Sequence, residues 1–132
     1  MSGSAREVIV PSDGARPMGP YSPGIRVGDM VFASGTTGMD PDAGSLVEGG
    51  VAAETGQALA NLSKVLEAGG SSLGRVVKTT VFMTNLQEFA TMNAVYGEVF
   101  TADPPARSTI QVAALPGGAA VEIEAIAWVE GG

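Results

Sequence analysis

Nine residues near the C-terminal end constrain the fold more than any other stretch. In Val121–Val129, the residues Val121, Ile123, Ala125, Ala127 and Val129 alternate onto one side of an extended chain. Period-2 alternation of this kind belongs to a strand with one face in a core. The opposite side reads Glu122, Glu124, Ile126, Trp128. Isoleucine and the sole tryptophan fit poorly against water, so this second face calls for a cover of its own. If helices pack on the first face, a neighbouring subunit is the simplest cover for the second, and homo-oligomerisation is the expectation.

A length of 132 residues fits a single domain, 1–132, with residues 1–6 as a loose N-terminus. Glu7–Val10 reads as a short first strand. Pro11–Gly24 holds four prolines and three glycines and reads as an irregular but ordered loop. Gly28-Asp29 between Ile25–Val27 and Met30–Ala33 is a two-residue hairpin signal. Gly35–Gly50 reads as loop again. Leu59, Leu62, Val65 and Leu66 recur at helical spacing and predict a helix over 51–68, stopped by Gly69-Gly70. A strand over 75–84 follows. Asn85 is placed as the N-cap of a second helix, with Glu88 as a capping-box acid and Leu86, Phe89, Tyr96 and Phe100 along its apolar face. Asp103-Pro104-Pro105 breaks the chain before strands over 108–112 and 121–129, with a turn at Pro116-Gly117-Gly118. The order β-β-β-α-β-α-β-β predicts an α+β sheet with two helices packed on one face.

Composition removes whole classes of chemistry. The chain has no histidine and no cysteine. Histidine general bases, Ser-His-Asp triads, thiol nucleophiles, disulfides and His- or Cys-ligated metals are therefore out of reach. Gly35, Gly38 and Gly44 fit neither a dinucleotide fingerprint nor a P-loop, so no nucleotide cofactor is expected. Seven cations, scattered singly, stand against 14 acids for a net charge of −7. Phosphate neutralisation needs clustered cations, so nucleic acid is not expected as the main partner. No apolar run reaches membrane-spanning length, and Met1–Val10 has no apolar core of a signal peptide. A cytoplasmic protein without membrane contact is the expectation.

Five places remain where chemistry could sit. Arg107 opens a strand after rigid Pro104-Pro105-Ala106. Its planar fork suits a carboxylate, although a lone arginine is also the commonest kind of surface charge. Glu122 begins the second face of the last strand. Partial removal from water would raise its proton affinity and suit it to acid–base work, while exposure would leave it and Glu124 as solvated acids. Tyr21, between Pro20 and Pro23, is either a rigid polar aromatic or a plug for the core edge. Ser34-Gly35 ends a strand before a glycine-rich loop and offers backbone N–H groups for an anion, or forms an ordinary turn. Asn93 sits among apolar neighbours on the second helix, where asparagine commonly bonds nearby backbone. From the residues alone, a small-anion site built from Arg107 and Glu122 is the furthest reach.

Taken in order, several segments resemble a known family. They are Gly19-Pro20-Tyr21-Ser22, Phe32-Ala33-Ser34-Gly35, Val76–Phe82, Phe89–Asn93, Pro105-Ala106-Arg107-Ser108-Thr109, Leu115-Pro116 and Val121–Ala127. Each is short, but together they run across about 16–129 in the order and spacing of the Rid superfamily. This superfamily is also called YjgF or L-PSP endoribonuclease-like, and the RidA group is the nearest part of it. The resemblance implies a chorismate-mutase-like (YjgF-like) α+β fold and a homotrimer with sites in the clefts between subunits. It implies a 2-iminobutanoate/2-iminopropanoate deaminase-type hydrolase that turns reactive enamines and imines, such as 2-aminoacrylate and 2-iminopropanoate, into 2-keto acids and ammonia. No cofactor and no metal are implied.

By the same resemblance, Arg107 grips the substrate carboxylate, Glu122 positions or activates water, and Tyr21 lines the cleft. Ser34, Gly35, Asn93 and Thr109 stand beside the substrate. Thr109 occupies a position where many relatives carry cysteine, and Ser22-Pro23 replaces a more usual pair ending in glutamine. Both departures bear on substrate range. Other readings share the same residues: a pathway-specific enamine deaminase acting on aminomuconate- or 3-aminoacrylate-type substrates, a trimer that binds small keto acids without turnover, and a ribonuclease. The last is disfavoured by the charge.

Overall fold

The computed structural model describes residues 5–130. Residues 1–4 of the expected loose terminus fall outside them, and Arg6 already opens the first strand. In chain order the elements are β1 (Arg6–Ile9), β2 (Gly24–Val27), β3 (Met30–Thr37), β4 (Met39–Asp40), β5 (Ser45–Leu46), α1 (Gly50–Ala68), β6 (Val76–Met83), α2 (Phe89–Val99), β7 (Ala106–Gln111) and β8 (Val121–Trp128). Six strands make one sheet in the order β1-β2-β3-β8-β6-β7, and β4 pairs with β5 separately. Among the described strands only β6 and β7 run parallel, and α2 is the crossover between them.

The alternation of the last strand decides where the core lies. Val121, Ile123 and Ala127 are fully buried, and they pack with Val31, Val81 and Met83 of the sheet against Leu59, Leu62 and Leu66 of α1 and Met92 of α2. Each buried leucine contributes about 1.5–3 kcal/mol. Both helices therefore cover one face of the sheet, as the α+β reading requires. On the other face, Phe32 stands opposite Ile126 and Met30 opposite Trp128. Phe32 is 44% exposed and Trp128 41% exposed. Among the described residues, no helix is long and apolar enough to cross a membrane.

The expected punctuation holds in two places. Val27 pairs with Met30 across Gly28-Asp29, and Gly28 takes the left-handed φ of +59° that this tight hairpin needs. After α1, the N–H of Ser71 returns 2.8 Å to the Leu66 carbonyl while Gly70 turns at φ +87°.

Two expectations need correction. Gly35–Gly50 is more than loop: β3 continues to Thr37, and β4–β5 form a small hairpin. The Asp40 carboxylate accepts the N–H groups of Asp42 and Ala43 at 2.9 and 3.2 Å, closing a turn whose residues resemble loop in composition. The second helix starts later than Asn85. Its side chain does accept the Gln87 N–H at 3.0 Å, but it caps a 3-10 turn over Leu86–Glu88, and α2 begins at Phe89. The tighter turn shifts the phase. The buried stripe is Met92 and Tyr96, followed by Phe100, whereas Leu86 and Phe89 are exposed.

Candidate functional site

Arg107 and Glu122 do not meet within one chain. Arg107 is the register partner of Thr79 on β6, and Glu122 is the partner of Phe82 on the same strand. Register partners project to the same face of a sheet. Thr79 and Phe82 are three residues apart, an odd step along a strand, so they project to opposite faces. Thr79 is buried against α2, which places Arg107 on the helix side and Glu122 on the uncovered side. The two residues therefore form no anion site within one chain, and they are described below as two separate candidate half-sites.

The Arg107 half-site is built from β7 and α2. The guanidinium carbon lies 4.7 Å from the Tyr96 ring centroid and 5.5 Å from that of Phe89. Both distances are within the range of cation–π attraction. Asn93 is four residues after Phe89 and three before Tyr96, so it shares their side of α2. Its expected bond to nearby backbone is absent: Oδ1 is buried without a hydrogen-bond partner. Thr109 lies one pleat beyond Arg107 on the same face, opposite Val81. The Tyr96 hydroxyl shares a 2.7 Å hydrogen bond with the Thr79 hydroxyl. Burial raises the Tyr96 pKa, and the opposing pull of Thr79 and of the Arg107 charge does not reverse it, so the phenol stays neutral.

The Glu122 half-site joins β8, a bulge in β3 and the 11–23 loop. The β3–β8 register shifts between Ala33 and Thr36. The bulge carries Ser34 and Gly35, which therefore sit inside a strand and not at its end. The Glu122 carboxylate packs over Gly35. Burial pushes the Glu122 pKa up, and the neighbouring charge of Glu124 adds to the shift. β2 pairs with β3 only as far as Ala33, and the 11–23 loop covers the edge beyond. Ser34 is fully engaged there, its N–H donating to the Pro23 carbonyl at 2.9 Å and its hydroxyl to the Ser22 carbonyl at 2.6 Å. The expected free N–H at Ser34 is thus already taken.

Tyr21 is no core plug: it is 49% exposed. Its hydroxyl accepts the Met18 N–H at 3.1 Å, which leaves the phenolic proton to donate elsewhere. Met18, Tyr21, Pro23, Ser34, Gly35 and Val65 line one pocket between the loop and the edge of β3. The sequence reading missed Thr79, Phe89 and Tyr96 as surroundings of Arg107. The aromatic pair was visible, but it was assigned to the apolar stripe of α2.

The fold and these motifs define a member of a known family. A family model for endoribonuclease L-PSP matches residues 13–129, and the chain belongs to this family. It is 46% identical over 127 residues to a mouse (Mus musculus) protein named 2-iminobutanoate/2-iminopropanoate deaminase, covering 96% of this chain and 94% of that one. Among solved structures, yeast YEO7 superposes with a TM-score of 0.92 at 38% identity, covering 96% of this chain and all of its own 100%. YyfA of the conserved Rid protein family, from Yersinia pestis, gives a TM-score of 0.91 at 41% identity, with 95% and 100% covered. The Rid resemblance and the YjgF-like fold drawn from the sequence are borne out.

Proposed function

We propose that this chain is a hydrolytic deaminase of small carboxylate-bearing imines and enamines of the 2-aminoacrylate/2-iminopropanoate type, releasing 2-keto acids and ammonia. The near-full-length likeness to the mouse deaminase supports the reaction class. The observation that carries the site is the split of Arg107 and Glu122 between two faces of one sheet. A site using both needs at least two protomers, and the Rid resemblance implies that the assembly is a homotrimer with its sites between subunits. The apolar second face, with Phe32, Ile126 and Trp128, supplies surface for that contact.

The chemistry asks little of the protein. The imine carbon is already electrophilic, so no strong nucleophile is required. Arg107 of one protomer makes a two-point grip on the substrate carboxylate and fixes the carbon's position. Glu122 of a neighbour holds water against that carbon. Water oxygen bonds to the carbon, its proton passes through Glu122 to nitrogen, and the carbinolamine collapses to keto acid and ammonia. An enamine first takes a proton at its terminal carbon, which yields the same imine. The pKa of Glu122, raised by burial and by the charge of Glu124, suits a group that both gives and takes protons. Tyr21 has a proton to donate into the cleft, and Gly35, Ser34, Asn93 and Thr109 shape its walls. The setting is cytoplasmic, and neither a cofactor nor a metal takes part.

The test is a coupled assay in which a pyridoxal-phosphate dehydratase makes 2-aminoacrylate from serine and pyruvate release is followed. Wild-type protein should accelerate release, and Arg107→Ala should lose nearly all of that effect while staying folded. Wild-type turnover in Arg107→Ala overturns the site assignment. No acceleration by assembled wild-type protein moves the reading to a specialised enamine or to a keto-acid binder.

A further inference from the structure

Arg107 stands on an edge strand, with β6 on one side and, among the described residues, no strand on the other. An arginine there has long reach and large rotamer freedom. It is confined from below. The Tyr96 ring lies 4.7 Å under the guanidinium carbon, and Phe89 touches it from two helical turns away at 5.5 Å. Tyr96 is itself held at three points. Its backbone belongs to α2, its ring tilts at 43° against Phe100 with centroids 4.6 Å apart, and its hydroxyl bonds the buried Thr79 hydroxyl at 2.7 Å. Thr79 is in turn the register partner of Arg107. Three of these contacts, Arg107 to Tyr96, Tyr96 to Thr79 and Thr79 to Arg107, close a ring from β7 to α2 to β6 and back to β7.

We propose that Tyr96 is a positioning residue for Arg107, and that Thr79 locks the phenol so that the guanidinium fork keeps one orientation. The inference rests on the deaminase reading, in which Arg107 grips the substrate carboxylate. Packing alone does not require these hydroxyls. Phenylalanine and valine of the same shapes would fill the space, and exchanging both partners of a buried hydrogen bond for apolar isosteres is close to neutral for stability. What the hydroxyl pair adds is orientation. Burial keeps the phenol neutral, and either hydroxyl can donate in the bond.

The double variant Thr79→Val/Tyr96→Phe separates positioning from folding. It should melt close to wild type, because no hydroxyl is left unpaired. Its KM for the imine should rise roughly 3–10-fold, the equivalent of one modest hydrogen bond, with kcat within about twofold. A grip used equally in ground and transition states moves KM and not kcat. Pyruvate affinity by calorimetry should fall by the same factor. Tyr96→Phe alone should match the double variant in KM, because the two hydroxyls act as one tie. A double variant with wild-type KM and wild-type pyruvate affinity, beside an inactive Arg107→Ala, overturns the positioning role alone. Wild-type protein with neither turnover nor pyruvate binding overturns the deaminase reading, and the positioning role falls with it.

Discussion

The Glu122 carboxylate lies directly on the backbone of Gly35. A Cβ at Gly35 would fall 2.5 Å from Glu122 Oε2 and 2.7 Å from its Cδ. Glycine is required there by contact and not by backbone angle, since this position has no left-handed φ. Gly35→Ala should therefore push the carboxylate aside while leaving the core intact. Displacing a proton-handling group by about 1 Å can cost about 100-fold in rate. The expected outcome is a loss of that order in kcat/KM with a melting temperature near wild type, read by the coupled assay and by calorimetry.

Glu122 also makes stability depend on pH. Its carboxyl binds a proton more tightly folded than unfolded, with burial as the main cause and Glu124 as the second. This contribution to stability is fully present below the unfolded carboxyl pKa of about 4.3 and is lost as pH rises through the raised folded value. Glu122→Gln has no charge to lose. It should be more stable than wild type at neutral pH, and the gap should close by about pH 4. Urea midpoints at the two pH values check this. Equal gaps at both would show that burial does not govern the group.

Glu54 carries a structural load at the entrance to β8. It is a buried acid on α1, and its Oε1 accepts the Ala120 N–H at 2.8 Å just before the strand begins. Glu54→Ala leaves that N–H without its partner and should cost about 1–3 kcal/mol. Glu54→Gln keeps an acceptor and should recover most of the loss. Denaturant titration of the pair decides, and equal losses in both would assign the effect to packing.

The second sheet face predicts the assembly. Ile126 is half-buried at its centre, opposite Phe32. Ile126→Lys puts a charge where apolar surfaces are expected to meet and should yield monomers in sedimentation, with activity lost. Assembly and turnover both unchanged would place the subunit contact elsewhere.

What the sequence made legible was whatever repeats at short range. The alternation of β8, the spacing of α1 and the Gly28-Asp29 hairpin each follow from a local period, and each stands in the structure. The β4–β5 hairpin was invisible because its two-residue strands carry no period and its turn residues look like loop. The onset of α2 was misplaced because Asn85 caps a 3-10 turn as well as it would cap a helix. As candidates, Arg107, Glu122 and Tyr21 were legible through the family motifs. Their faces were not, because which side Arg107 takes depends on its register with Thr79, a long-range pairing that no local pattern encodes.

Placing Arg107 and Glu122 on opposite sides of one sheet has a genetic consequence. Each molecule in the proposed ring lends its arginine to one neighbour's site and its glutamate to the other's. An Arg107→Ala allele and a Glu122→Gln allele should each be inactive alone, yet a cell expressing both builds mixed rings. In these, an intact arginine meets an intact glutamate at roughly one site in four if the subunits assort at random. Two broken copies of the gene would then complement each other, and the unit on which selection acts is the seam between molecules.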